Sequence, residues 1–450
     1  MPDKVSILSK TGVVTYYSTY SAARAAANPS RDDHDLIQIW ADLNETIILS
    51  DKVDIWIMPG VEINNTYGGA TITDNNVAVI CNIYGEGIIK NTRDVGTTWY
   101  ECIKISNANT EISIECDYIE GIGGTTSNSL QGPCIYISNG KKFHLKCNKV
   151  YNQRDCGIYI GGISYVISDI NLNIQKIETG SHVNTTYYGE SALITHGNGF
   201  IKIDEIVCSS LGHCFSHRGG KVISRINKMT TILNINFAVS TVHMDQGTGL
   251  QELILYFDEI ISSAGVYNAN LCIEQHQGKG IFIGRKIISN SNNFPNYIPA
   301  LQISSSIYTP LLMPTGFMKI NEIISKGGLA MILNDFTEQI TIDSNNIECN
   351  GGAVISSNST AVNYLLKNAT LRNLDTSSGS KGIALDGNNA ILTFNNIKII
   401  AGGNLINLVS GSISIKNYGL FGNKNIDNEH IILEIGDINN FVFIYSNDLT

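Results

Sequence analysis

The chain has 450 residues, 43% hydrophobic and 16% charged, so it can bury a large core and is not a disordered polymer. Its formal net charge of -10 comes from 30 Lys+Arg against 40 Asp+Glu, with no basic cluster longer than a dipeptide, which excludes the electrostatic footprint of a nucleic-acid binder. No run approaches the ~18 apolar residues of a membrane span, and the start MPDKVSILSKTGVVTYY lacks the basic and apolar regions of a signal peptide; synthesis in a cytoplasm without membrane insertion is the expectation.

In chain order, the first predicted element is an Ala-rich helix near 21–27 in TYSAARAAANPSRDD (19–33), with Ser21 as N-cap and Asn28-Pro29 as its stop. Strand-like segments follow in DLIQIWADLNETIILSDKVDIWIMPGVEI (35–63) and NNVAVICNIYGEGIIKNT (75–92). The succession of Ala22–Ala27, Ile37–Ile39, Pro59-Gly60 and Gly85-x-Gly87 resembles the opening coils of the single-stranded right-handed parallel β-helix superfamily, which includes pectate-lyase-like enzymes and bacteriophage tailspikes. The resemblance is close over the first quarter of the chain and implies a fold rather than a chemistry. Lyases, hydrolases, epimerases and inert fibres share such an opening.

From about residue 70 onward, short alternating Ile/Val/Leu/Phe/Tyr runs are punctuated by Asn, Gly, Ser and Asp, with almost no helical period. Phrases such as CIKISNANTEISIECDYI (102–119), CIYISNGKKFHLKCNKV (134–150) and GIALDGNNAILTFNNIKI (382–399) recur at roughly 22 to 35 residues, the period of a solenoid. A unit of that size without a helix cannot bury its own apolar face, so the units must stack. The predicted fold is all-β, a right-handed parallel β-helix of about a dozen coils with a short N-terminal capping helix. Residues 1–70 form the cap and first coils, and 71–450 the β-helix. Asparagine suits the turns because it tolerates left-handed backbone, and its amides can pair from coil to coil.

Cysteines keep the same register: Cys102, Cys134, Cys214 and Cys272 stand at or near the start of their phrases, and Cys116 and Cys147 match in two successive coils. Inside apolar strands they read as buried free thiols rather than disulfides. No C-x-x-C or His/Cys spacing suggests zinc, and no cofactor or metal is expected.

Four phrases place a histidine just before a glycine turn: ALITHGNGF, CFSHRGGKV, VHMDQGTG and CIEQHQGKG. Stacking would set His196, His217, His243 and His276 in a column, with Arg218, Asp245 and Glu274 nearby. One reading is a polysaccharide edge, in which His196, His217, His243, Asp245 and Glu274 supply acid/base groups while Arg218 and His276 hold acidic sugars. The other is that turn histidines form a structural ladder. A metal site is a weaker variant, because nothing sets a tetrahedral spacing. Asp204, Glu205, Asp258, Glu259 and Glu322 recur at one corner as IDEI, FDEI and INEI and read as solvated residues.

Three polar insertions break the repeat at 121–133, 179–191 and 289–300, and they carry Tyr187, Tyr188 and Tyr297, aromatics of a kind that stack on sugars or pack against a neighbouring subunit. The tailspike resemblance implies a homotrimeric virion appendage, docked on other virion proteins, that binds host surface polysaccharide outside the cell. The alternative is a polysaccharide lyase or glycoside hydrolase along the histidine edge. The last coil, NFVFIYSNDL (440–449), is expected to be covered by a partner, because an open solenoid end invites edge pairing.

Overall fold

The computed structural model describes residues 3–27, 35–93, 100–122, 132–154, 156–162, 166–180, 191–209, 212–232, 239–244, 250–263, 270–290, 299–304, 313–326, 328–335, 338–357, 361–375, 377, 380–401, 406–420, 433–435 and 443–444. The chain divides into two compact units, Met1–Ile226 and Asn227–Thr450. Among the described residues it is all-β apart from one short helix, and it winds as a parallel β-solenoid of about nine turns. That is fewer than the dozen coils expected from the phrase count. The phrases after residue 400 contribute only part of their length to the described residues.

The first unit opens with an antiparallel patch, in which Val5–Leu8 pairs with both Val14–Tyr17 and Asp35–Ile39. Between them lies the helix Tyr20–Ala26, whose N-cap is Thr19 rather than the expected Ser21: the Thr19 hydroxyl accepts from the Ala22 N–H at 3.2 Å. Glu45 occupies the remaining donors of the first turn, with Oε1 2.8 Å from the Tyr20 N–H and Oε2 3.3 Å from the Ser21 N–H. An anion there suits the positive end of the helix. Ser21 therefore sits two steps too late to cap. The helix turns Tyr20 and Ala23 inward and covers the start of the solenoid.

From Asp35–Ile39 onward the pairing is parallel, first to Val53–Ile57 and then to Ile80–Gly85. Apolar side chains stack in register from coil to coil: Ile72, Ile103, Ile135, Ile158 and Leu193 form one column of the first unit. In the second unit Ile273, Leu301, Met331 and Ile355 do the same. All nine are fully buried. Successive strand residues point to opposite faces, so the alternation that fills the core also lines the outside with polar side chains at the same registers.

The buried asparagines act differently from the expected amide ladder. Asn152 Nδ2 donates to the carbonyls of Gly132 (2.9 Å) and Cys156 (2.6 Å), while its Oδ1 accepts from the Arg154 N–H at 3.2 Å. Asn65, Asn91 and Asn373 repeat the pattern, each accepting from the N–H two residues on and donating to turn carbonyls. Each amide closes its corner by satisfying backbone groups that the turn would otherwise strand.

All ten cysteines are free and buried, as their register suggested. Cys116 stands opposite Cys147 in adjacent coils, and the sulfurs of Cys102 and Cys134 are 3.5 Å apart. Burial pushes Cys272 and Cys349 up to about 12, far from the thiolate form needed for attack. A disulfide-exchange reagent at pH 8 is therefore expected to titrate essentially no thiol in the native protein and all ten after denaturation. Rapid native reaction of several thiols would contradict the packing.

Candidate functional site

The structure groups the predicted histidines as His196 with His217 and Arg218 in the first unit, and His243 with Glu274 and His276 in the second. His196 lies on the strand Leu193–Cys208, where the chain must bend tightly against Ile167–Thr179. Gly199 makes the bend: its φ is +154°, and a Cβ there would come within 1.9 Å of the Ile170 carbonyl oxygen. That close approach explains why a glycine stands three residues after the histidine.

His196 is 2% exposed, and its ring stacks on Tyr159 at a centroid distance of 6.2 Å. Its Nε2 has no hydrogen-bond partner among the described residues. Burial, aided by the charges of Arg218 and His217, holds its pKa down to about 4, so the ring is neutral at pH 7. His217 is fully buried with both ring nitrogens engaged, Nε2 3.1 Å from the Gly220 carbonyl and Nδ1 3.0 Å from the Thr195 hydroxyl. A carbonyl only accepts, which puts a proton on Nε2 and, in the neutral ring, makes Thr195 the donor to Nδ1. A ring held in this way at both nitrogens is suited to bracing the turn. Arg218 is half-buried and donates from Nε to Ser216 Oγ at 3.1 Å.

In the second unit, parallel register sets His243, Glu274 and Gln302 side by side on the strands Val239–Met244, Asn270–Gln275 and Leu301–Ser304. Glu274 Oε1 is 2.8 Å from His276 Nε2, and Oε2 is 3.9 Å from His243 Nε2. The two rings meet edge to face at 5.9 Å. His276 Nδ1 lies 3.0 Å from Ser304 Oγ, which also accepts from Gln302 Nε2 at 3.3 Å. The side chains of His243, Glu274 and His276 are 11%, 15% and 19% exposed, so the cluster is mostly shielded from water. Asp245, Tyr187, Tyr188 and Tyr297 lie outside the described residues. The corner carboxylates behave as solvated residues in ion pairs, Glu205 with Lys176 at 3.4 Å, Asp258 with Arg285 at 2.7 Å and Glu322 with Lys286 at 3.0 Å.

Two outward features of the first unit escaped the reading of the sequence. An open groove of about 400 Å³ runs over the strands Ile80–Gly85, Glu111–Gly121, Lys142–Asn152 and Ile167–Thr179. One row on its floor is Asn82, Ser113, His144 and Asn171, in parallel register across four coils. Two residues further along each strand lie Tyr84, Glu115, Lys146 and Asn173. Lys146 pairs with Glu115, and His144 Nε2 is 3.1 Å from Asp169 Oδ1.

The second feature is an aromatic row on a neighbouring face, where Lys104, Tyr136 and Tyr159 are in register. Lys104 Nζ stands 6.0 Å from the Tyr136 ring centre, Tyr136 meets Tyr159 edge to face at 5.4 Å, and Tyr159 leads on to His196. No family model, curated protein or solved structure matches this chain. The chemistry on offer is thus read from these side chains alone: amides, hydroxyls and one carboxylate–ammonium pair along a groove, an aromatic row beside it, and an imidazole–carboxylate–imidazole cluster in the other unit.

Proposed function

We propose that this chain is a receptor-binding virion appendage of the tailspike kind that lays a host-surface polysaccharide along the groove over Asn82, Ser113, His144 and Asn171. The single observation that carries the glycan part is the parallel alignment of amide, hydroxyl and imidazole side chains along one open groove of about 400 Å³. A linear sugar polymer presents hydroxyls at a regular repeat, and a solenoid presents donors and acceptors at the regular strand spacing of ~4.8 Å. Tyr136 and Tyr159 add aromatic surface of the kind that covers the apolar face of a sugar. The virion part is supported by the opening coils, which resemble those of tailspike-type β-helices, and by a low-charge solenoid with a helical cap. On this reading the appendage is a homotrimer, attached to other virion proteins and acting outside the cell.

A second reading, polysaccharide cleavage by a lyase or hydrolase, is favoured by one observation: Glu274 stands within reach of two imidazoles. Binding and cleavage are separated by incubating the purified protein with a panel of acidic and neutral cell-surface polysaccharides while following both retention and polymer length. Retention without shortening is the expected result. The His144→Ala/Lys146→Ala double variant is expected to weaken binding by about tenfold or more, ~1.4 kcal/mol. Unchanged affinity would remove the groove from the reading, and shortening abolished by Glu274→Gln would replace it with the enzyme.

A further inference from the structure

We propose that His243, Glu274 and His276 form a binding site for a divalent transition-metal ion of the zinc class, bridging two adjacent coils of the second unit. One ligand atom from each residue lies within 4.8 Å of the other two. Tetrahedral coordination with bonds of about 2.0 Å places ligand atoms about 3.3 Å apart, so side-chain torsion alone can close the remaining distance. His276 follows directly on the strand that ends at Gln275, and its N–H still bonds the Met244 carbonyl at 2.9 Å, which keeps it two residues on from Glu274 along the same run; His243 reaches them because it is opposite Glu274 in the preceding coil.

The donor set selects the class of ion. Two imidazoles and one carboxylate suit zinc, cobalt, nickel or copper, whereas calcium and magnesium require a shell of oxygens. Three protein ligands leave a fourth position for water. The surroundings are those of a metal site as well. Ser304 holds His276 at the ring nitrogen that faces away from Glu274, and Gln302 holds Ser304 in turn. A hydroxyl can donate to Nδ1 when Nε2 carries the proton, and can accept from Nδ1–H when Nε2 gives its lone pair to an ion, so Ser304 serves both states. A Glu274–His276 ion pair by itself explains the 2.8 Å contact. His243 Nε2, 3.9 Å from the other oxygen of the same carboxylate, brings a third donor beside that pair.

This site does not depend on the groove, and either can fail without the other. The test uses the full chain without a polyhistidine tag, stripped with a chelator and dialysed. It is titrated with zinc chloride in a calorimeter and with cobalt(II) chloride in a visible spectrometer. The expected result is one ion per chain, a four-coordinate cobalt absorption band, and a melting temperature that rises with added zinc because the ion binds only the folded state. His243→Gln and Glu274→Gln are each expected to weaken binding at least tenfold. Ser304→Ala removes no ligand and is the variant most certain to fold; it is expected to weaken binding by about tenfold through the loosened His276 ring. Absence of stoichiometric uptake at micromolar metal, or uptake unchanged in the folded His243→Gln/Glu274→Gln double variant, overturns the proposal.

Discussion

Phe143→Ala is expected to lower the unfolding free energy by about 3–5 kcal/mol, the largest loss of any single change considered for this chain. Phe143 is fully buried, and in parallel register it lies between Ile112 of the preceding coil and Ile170 of the following one. Removing the ring takes away its transfer free energy and leaves a cavity that the neighbours cannot close, because backbone hydrogen bonds hold the coils at ladder spacing. Phe143 is also flanked in sequence by Lys142 and His144, so the packing behind the groove is lost with it. Urea unfolding checks the stability term, and polysaccharide retention checks the groove. Glu322→Gln is the control: its exposed pair with Lys286 is of the kind worth about 0–1 kcal/mol. A Phe143→Ala loss no larger than that of the control would mean that this layer is not tightly packed.

The second large effect is a dependence on pH. His196 titrates near 6.5 when unfolded and near 4 in the folded chain, mainly because burial disfavours its charged form. The unfolded chain therefore takes up a proton in a range where the folded chain does not. Stability falls as pH drops from about 6.5 to about 4, by up to roughly 3 kcal/mol, and the term is absent above that window. His196→Phe keeps an aromatic ring against Tyr159 but cannot be protonated. It is expected to flatten the loss between pH 6.5 and 4 in urea unfolding at a series of pH values. Parallel pH profiles for the two proteins would show that His196 is not held neutral by the fold.

The solenoid was legible because stacking imposes one pattern on every coil, and the recurring phrases carry it without reference to any particular partner. The helix was legible to within one residue at each end. Its cap was misplaced because Thr19 and Ser21 are both good caps, and only Glu45, distant in sequence, decides which hydroxyl is left to serve the helix. The histidine repeat was visible, but its meaning was not. His217 and His276 occupy similar phrases, yet one ring is held by Thr195 and Gly220 in full burial and the other faces Glu274 and Ser304 near the surface.

The groove was missed for a related reason. Asn82, Ser113, His144 and Asn171 are each an ordinary outward polar residue in its own strand, and they become a row only through a register that joins positions about 30 residues apart. Tyr136 and Tyr159 did carry a signal, since CIYIS and GIYIG place them identically after the phrase start. The His243, Glu274 and His276 cluster was nearer to view, since the histidine phrases already set His243 and His276 in one column with Glu274 nearby.

The ten buried thiols make folding and unfolding unequal journeys. While the coils hold, the thiols are shielded from solvent, and air or peroxide has little access to them. Once a coil opens, thiols held close in the core, such as Cys102 and Cys134, come apart in water together and can cross-link in pairings that the solenoid cannot accommodate. A sample melted and cooled in air would then fail to return, while the same sample melted with a reducing agent would recover. Such a protein ages abruptly rather than gradually, and its shelf life is set by how often a coil opens.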